Sequence, residues 1–526
     1  MNDKPKTKWR WRLLRWGLIG LAVLSTLAAI LITEENWRGK RAWENYKREA
    51  EARGERFDLA SVIPPPVPDD QNFYFAPIVA SALNWNRNQN TGALEQSDVN
   101  VVNRMYFILY RGNSENWPTN GGNWQKGKLT DLKEWQRYFR DFAETSQGKT
   151  NGFPVASQPQ TPATDILLAL SCFDPAIEEL REALQRPYSR FPLDYESGFD
   201  VVGELLPYLA NVKRCGQLFQ LRILAELDNG QSEKALADVK LLLGVTDSIR
   251  DQPFLISHLV RIAMLAITLQ PVYEGLAQQR WSEAQLMELE RALAKLDFLA
   301  DFQLAMKGEK IFAIESVEKQ RITREYKTVD DRSGTNKIIT VSLRLTPNAY
   351  FFQNELAFAR MCQQWILPLV DAETRVVSPD GLRRADQAVR AEMKHYSPYK
   401  VQALIMFPAL NAAVKKFAFA QASVDLARVA CALERYRLAH GQYPETLDAL
   451  APQFIGQLPH DIINGQPLHY RRTDGPPSQG SGATSGKFLL YSVGWNETDD
   501  GGQVAFTKSG SVDREKGDWV WQYPAK

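Results

Sequence analysis

The sequence has no closely spaced cysteines. Its four, Cys172, Cys215, Cys362 and Cys431, stand far apart, so a tetrahedral thiolate zinc site has no CxxC pair to start from. They read as buried thiols, although in an oxidising compartment four cysteines allow three pairings. Histidine is also scarce, with five in all: His258, His395, His440, His460 and His469. No HExxH and no GxSxG occurs, which removes the usual metalloprotease and serine-hydrolase signatures. His258 lies in an apolar helical stretch and reads as a core histidine. His395 and His440 stand at helix ends, where a cation suits the dipole. His460-Asp461 is an adjacent acid–base pairing with no nucleophile motif beside it. "GSGATSG", Gly480 to Gly486, lacks the following hydroxyl of a phosphate-binding loop and reads as a flexible loop.

Net charge is nearly absent as well. Sixty-three basic and 62 acidic residues leave +1, so no global field steers the chain to nucleic acid, and no nucleic-acid partner is expected. What the chain has is length and apolar content. Its 526 residues, 44% hydrophobic, are enough for a full core without staples. Fourteen tryptophans suit core and membrane-interface packing.

One run is long and apolar enough to span a bilayer. Leu13 to Thr33 is apolar apart from Arg15, Ser25, Thr26 and the closing Thr33. About 20 residues at 1.5 Å each cross a hydrocarbon core of roughly 30 Å. Lys4, Lys6, Lys8, Arg10 and Arg12 precede it, and Glu34 and Glu35 follow. The positive-inside rule then puts residues 1–12 in the cytoplasm and the rest outside. Trp11, Trp16 and Trp37 suit the two interfaces. No clean small-x-small site follows the run, so we expect an uncleaved anchor rather than a signal peptide. "VQALIMFPAL", 401–410, is too short to span and contains Pro408.

The segment 34–70 reads as a charged stalk helix, with Trp37, Trp43, Tyr46 and Ala50 roughly on one face, followed by the stiff spacer "VIPPPVP". Residues 71–400 read as a mainly helical extracytoplasmic domain, bundle or solenoid-like. Its signals are Asp174-Pro175 at a helix start, Asn229-Gly230 at a turn, and Ser282-x-x-Gln285 as a capping box. Residues 324–346 read as a β-hairpin, because "KIITVSLRL" alternates after the turn "DDRSGTN".

Residues 401–526 differ. A long helix from about Pro408 has apolar residues at three-four spacing and stops at Gly441. Tyr443-Pro444 and a short helix, "ETLDALAP", follow. Then come a turn at Asn464-Gly465, the strand "KFLLYSVG" and a terminal "VWQYP". In order, Ala432, Leu433, Tyr436, Gly441, Tyr443 and Pro444 precede Asp461, Asn464, Gly465, Pro467 and Tyr470. Tyr491 to Gly494, Asp518 and Trp519 complete the set. This ordered set resembles the globular part of the major, G-like pseudopilins of type II secretion. The resemblance implies a small α+β domain with a short antiparallel sheet. It also implies a calcium site in the acidic loop "GWNETDDGGQ" and the tail beyond, carried by Asn496, Asp499, Asp500, Asp513 and Asp518. Ca²⁺ takes 6–8 hard oxygens from carboxylates, amides and carbonyls. The family's prepilin processing site has no counterpart here, since no Glu follows Gly17 at the required place. The whole chain also resembles large membrane-anchored proteins of planctomycete and verrucomicrobial bacteria with such an ending, which brings no known activity.

The sequence therefore leads to a single-pass protein of the bacterial inner membrane, mainly α, with its bulk in the periplasm. The expected role is interaction or scaffolding with an envelope protein partner, secretion- or pilus-related and non-enzymatic. The alternative is an extracytoplasmic hydrolase with a pocket among the helices. An exposed apolar patch would favour the first reading. A polar cavity with convergent carboxylates would favour the second. No small-molecule ligand is legible.

Overall fold

The computed structural model describes residues 7–83, 85–87, 94–96, 103–111, 117–119, 121–193, 200–325, 335–394, 397–473 and 488–523. It is mainly helical. The N-terminal half contains α1 (Thr7–Ala52), α2 (Pro77–Leu83), the hairpin β1 (Trp85–Arg87) and β2 (Leu94–Gln96), α3 (Leu132–Glu144), α4 (Ser146–Asn151), α5 (Pro162–Leu170) and α6 (Asp174–Ala183). The long helices follow: α7 (Asp200–Asp228), α8 (Ser232–Asp247), α9 (Leu255–Ala277), α10 (Glu283–Leu293) and α11 (Phe298–Thr323). Next come α12 (Thr335–Leu345), α13 (Asn348–Met361), the two-residue strands β3 (Val370–Asp371) and β4 (Val376–Val377), α14 (Pro379–Met393) and α15 (Val401–His440). The chain ends in β5 (His469–Arg472), β6 (Phe488–Ser492), β7 (Val504–Phe506), β8 (Val512–Gly517) and β9 (Trp519–Trp521).

Local chemistry explains the boundaries. Ser282 and Gln285 form the capping box of α10, each bonding the other's backbone. Asp297 accepts from the Leu299 and Ala300 amides to open α11. Gly230 turns the chain between α7 and α8 at φ +73°, and Gly441 closes α15 at φ +78°, conformations a side chain would strain.

α15 is the central element. It packs on α9, α10, α11 and α13, and residues 417–427 are buried on every side, with Gln421, Ser423 and Asp425 among them. It starts at Val401 and carries Pro408 at the start of its third turn, where the lost N–H costs one ladder bond. Antiparallel β6 pairs with β5 and β9 in the order β5-β6-β9, with Tyr491 opposite His469 and Val520. β7 and β8 form a separate hairpin. One hydrophobic core runs from Trp43 to Tyr523, with no break where the C-terminal segment begins. Trp521 is fully buried against Trp124 and Tyr273.

Two expectations need correction. "KIITVSLRL" is helical, not a strand: Ile339 and Leu343, four apart, pack on Val317 of α11 and Phe351 of α13. Residues 326–334 of the expected turn, Gly480–Gly486 and His395 lie outside the described residues. The second correction concerns the stalk. Trp43, Tyr46 and Ala50 are buried in the core, so the end of α1 is a wall of the body. The proline run also lies on the body, the Pro64 carbonyl accepting from Arg190 Nε at 2.8 Å.

Among the described residues, α1, α9 and the helical stretch ending in α15 are long and apolar enough to cross a membrane. The apolar window of α1 is 0% buried, whereas the windows of the other two are 67% and 50% buried inside the protein.

Candidate functional site

The acidic C-terminal loop is held by the chain's own donors. Asp461, fully buried, accepts from the Ser492 hydroxyl (2.9 Å) and the Val493 and Ile463 amides (2.9 and 3.0 Å). Its neighbour His460 turns instead to the Arg375 carbonyl at 3.2 Å. The pair therefore does not converge on a common space. Asp518, also buried, accepts from the Asp500 and Gly502 amides at 3.2 and 2.6 Å. Burial pushes its carboxyl up to about 6, backbone hydrogen bonds oppose that, and the charges of Asp500 and Asp499 add to it.

The remaining loop acids are similarly engaged. Asp499 accepts from the Gly501 amide and the Tyr491 hydroxyl, both at 2.9 Å, with His469 at 3.4 Å. The Gly501 bond leads in holding it below the usual carboxylate range. Asp500 accepts from the Asn496 amide at 2.8 Å, and Asn496 Oδ1 accepts from Thr498 N at 3.3 Å. Asp513 lies on β8 and accepts from the Glu515 amide of its own strand. Four of the five sequence-derived residues therefore share one loop region, through N–H and O–H donors. No group of three or more His, Cys, Asp or Glu side chains among the described residues is set to hold a metal ion. As arranged, Asp518, Asp499, Asp500 and Asn496 each accept at least one hydrogen bond from the chain's own donors.

A second constellation escaped the sequence reading. Where α1 leaves its apolar run, a cavity of about 610 Å³ opens between α1, α11 and α13. Trp37, Trp43 and Lys47 line one side, and Glu315, Glu318 and Glu355 the other. Arg321 grips Glu318 with two bonds, Nε to Oε2 at 2.6 Å and Nη2 to Oε1 at 2.5 Å. That bond is the main reason the Glu318 carboxyl stays below its usual range.

Glu355 is 1% exposed. Burial first, then the charge of Glu318, pushes it up to about 9, and the two carboxyls are hydrogen-bonded. Of the two, Glu355 is the carboxyl that burial and the Glu318 charge favour in its protonated form. Glu355 Oε1 has no hydrogen-bond partner among the described residues. The signal available in the sequence was an acid inside the apolar run "FFQNELAFA". A larger cavity of about 750 Å³, lined by Pro64, Arg181, Tyr188, Lys240 and Asp247, has no such acid pair; its Asp247 is bound by Arg261 at 2.8 Å.

Comparisons with family models, curated proteins and solved structures return no match.

Proposed function

We propose that the protein is a single-pass, membrane-anchored interaction protein of the bacterial inner membrane, holding a rigid helical body on the extracytoplasmic side for an envelope protein partner. One observation carries this reading: the apolar segment of α1 is uncovered along its length, and the same helix continues unbroken into the core. A helix that buries nothing where it is apolar needs lipid there. The basic residues before it and the acids after it orient it with the N-terminus inside. The C-terminal likeness to pseudopilins belongs to the same reading. It is supported by the order of long helix, left-handed Gly441, short 3₁₀ turn and the strands β5, β6 and β9. The test is alkaline extraction of membranes from cells producing the full chain, with protease digestion of spheroplasts. Retention in the membrane and loss of a C-terminal tag to external protease are expected. Release by alkali would end the reading.

The Glu318–Glu355 pair favours a second reading, an extracytoplasmic hydrolase. Two carboxyls pushed apart in proton affinity are the usual equipment of acid–base hydrolysis. Glu318 is tied by Arg321, however, and Glu355 is buried, so neither is free to meet a substrate in this arrangement. A panel of ester, glycoside and peptide substrates, with Glu355→Gln as the control, separates the two readings. Turnover lost in that variant would establish the hydrolase.

A further inference from the structure

We infer that the base of the helical body rests on the outer surface of the bilayer, with α12 lying in the headgroup layer as an interfacial helix. This rests on α1 being the anchor and adds where the body sits relative to it.

The argument starts from height. The apolar run ends at Thr33, and Asn36 lies about 4.5 Å further along the axis at 1.5 Å per residue. At that level Asn36 Oδ1 accepts from the Ala349 amide at 2.7 Å. The headgroup layer is roughly 5–7 Å deep on each side of the hydrocarbon, so the start of α13 already lies within it. α12 ends at Leu345, just before Ala349.

Other chain segments descend to the same level. α11 runs down toward the membrane: Lys310 bonds Glu55, just past the upper end of α1, at 3.1 Å. Arg324, just past the end of α11, donates to the Leu343 and Thr346 carbonyls at 3.1 and 2.6 Å. The start of α15 is tied there as well, because the Tyr399 hydroxyl donates to Glu35 at 3.4 Å and Lys400 pairs with Glu392.

The apolar side chains follow. Outside α1, the most exposed large apolar side chains described are Leu345 (83%), Ile405 (71%), Ile322 (67%), Met393 (60%) and Val341 (58%); the next, Phe506, is at 53%. All of those above Phe506 lie on the helices tied to this base. The five most exposed large apolar side chains described outside α1 thus fall on segments tied to one end of the body.

α12 is two-sided. Ile339 and Leu343 face α11 and α13. Val341 and Leu345, four apart, face away from the protein, with the exposed Lys337 and Arg344 beside them. An apolar face bordered by basic residues is how a helix lies in an anionic interface, its apolar side about 5–10 Å deep. The bilayer is the occupant because the anchor brings it there.

The test uses the full chain in nanodiscs of phosphatidylethanolamine and phosphatidylglycerol. Single nitroxide labels are attached at Leu345→Cys, Leu21→Cys or Phe506→Cys, each in a Cys172→Ser background that removes the exposed thiol. Collision with lipid-soluble oxygen is compared with collision with an aqueous nickel chelate. Labels at 21 and 345 are expected to show a several-fold higher oxygen-to-nickel ratio than the label at 506. A label at 345 that matches 506 while 21 stays in lipid would overturn the inference and leave the anchor intact. Nickel access at 21 would remove the anchor, and the inference with it. Leu345 is exposed enough that its replacement does not threaten folding.

Discussion

Gly39 of α1 and Ala349 of α13 cross so closely that a β-carbon on Gly39 would stand 3.2 Å from the Ala349 Cα. The neighbouring Asn36–Ala349 hydrogen bond locks the same crossing. Here the helix that follows the apolar run is welded to the body, and several expectations depend on welds of this kind.

Replacing Gly39 with leucine forces the two helices apart. Overpacking of this kind costs about 1–3 kcal/mol. Thermal unfolding of the full chain in nanodiscs should show a clear loss for Gly39→Leu and a smaller one for Gly39→Ala. Equal stability would mean the crossing is loose.

The acid pair makes stability depend on pH. Burial, then the charge of Glu318, pushes Glu355 in the folded chain from the ordinary 4.5 up to about 9. The folded state therefore holds a proton that the unfolded chain has released across that window. Its contribution is full below about pH 4.5 and is lost progressively as pH rises to about 9. Glu355→Gln should flatten this slope and raise the unfolding temperature at pH 8, since the amide can still donate to Glu318. An unchanged pH profile would contradict a protonated Glu355.

Arg261 is 1% exposed and joins α9 to Asp301 of α11, to Asp247 at 2.8 Å and to the Thr246 carbonyl at 3.2 Å. Removing one member of a buried ion network costs about 3–5 kcal/mol, because its partners keep their charge without compensation. Arg261→Ala should therefore lower the denaturation midpoint more than truncation of an exposed arginine such as Arg384. A loss below about 1 kcal/mol would mean water replaces the guanidinium.

The acidic loop should be indifferent to calcium. Asp518 already receives two backbone amides, and Asp499 an amide and a hydroxyl. Unfolding with calcium and with chelator is expected to coincide. Asp518→Ala should cost about 1–3 kcal/mol by leaving two half-buried amides without their acceptor. A calcium-dependent rise that the variant abolishes would restore the metal site implied by the family resemblance.

Features written in contiguous residues were legible in the sequence. The apolar run of α1, the Ser282–Gln285 box, the stop at Gly441 and the strands around Tyr470, Tyr491 and Trp521 each have a local cause. α12 was misread because Ile339, Val341, Leu343 and Leu345 satisfy strand alternation and helical spacing at once. The packing of Ile339 and Leu343 on Val317 and Phe351 decides between them. The Glu318–Glu355 pair was invisible because its members sit on different helices. The buried face of the charged segment after Thr33 was half visible in Trp43 and Tyr46, but what covers it comes from distant α13.

The continuity of α1 has a mechanical consequence. No proline interrupts the helix between Thr33 and Ala52, and Lys310 clamps the chain just beyond it through Glu55. With the anchor in a bilayer, the body has no hinge on which to swing as a tethered domain would; it moves together with its mast. Every feature on its flank then travels at a fixed height above the lipid. Two such molecules, or one and a partner anchored beside it, search for each other in two dimensions with their faces already level.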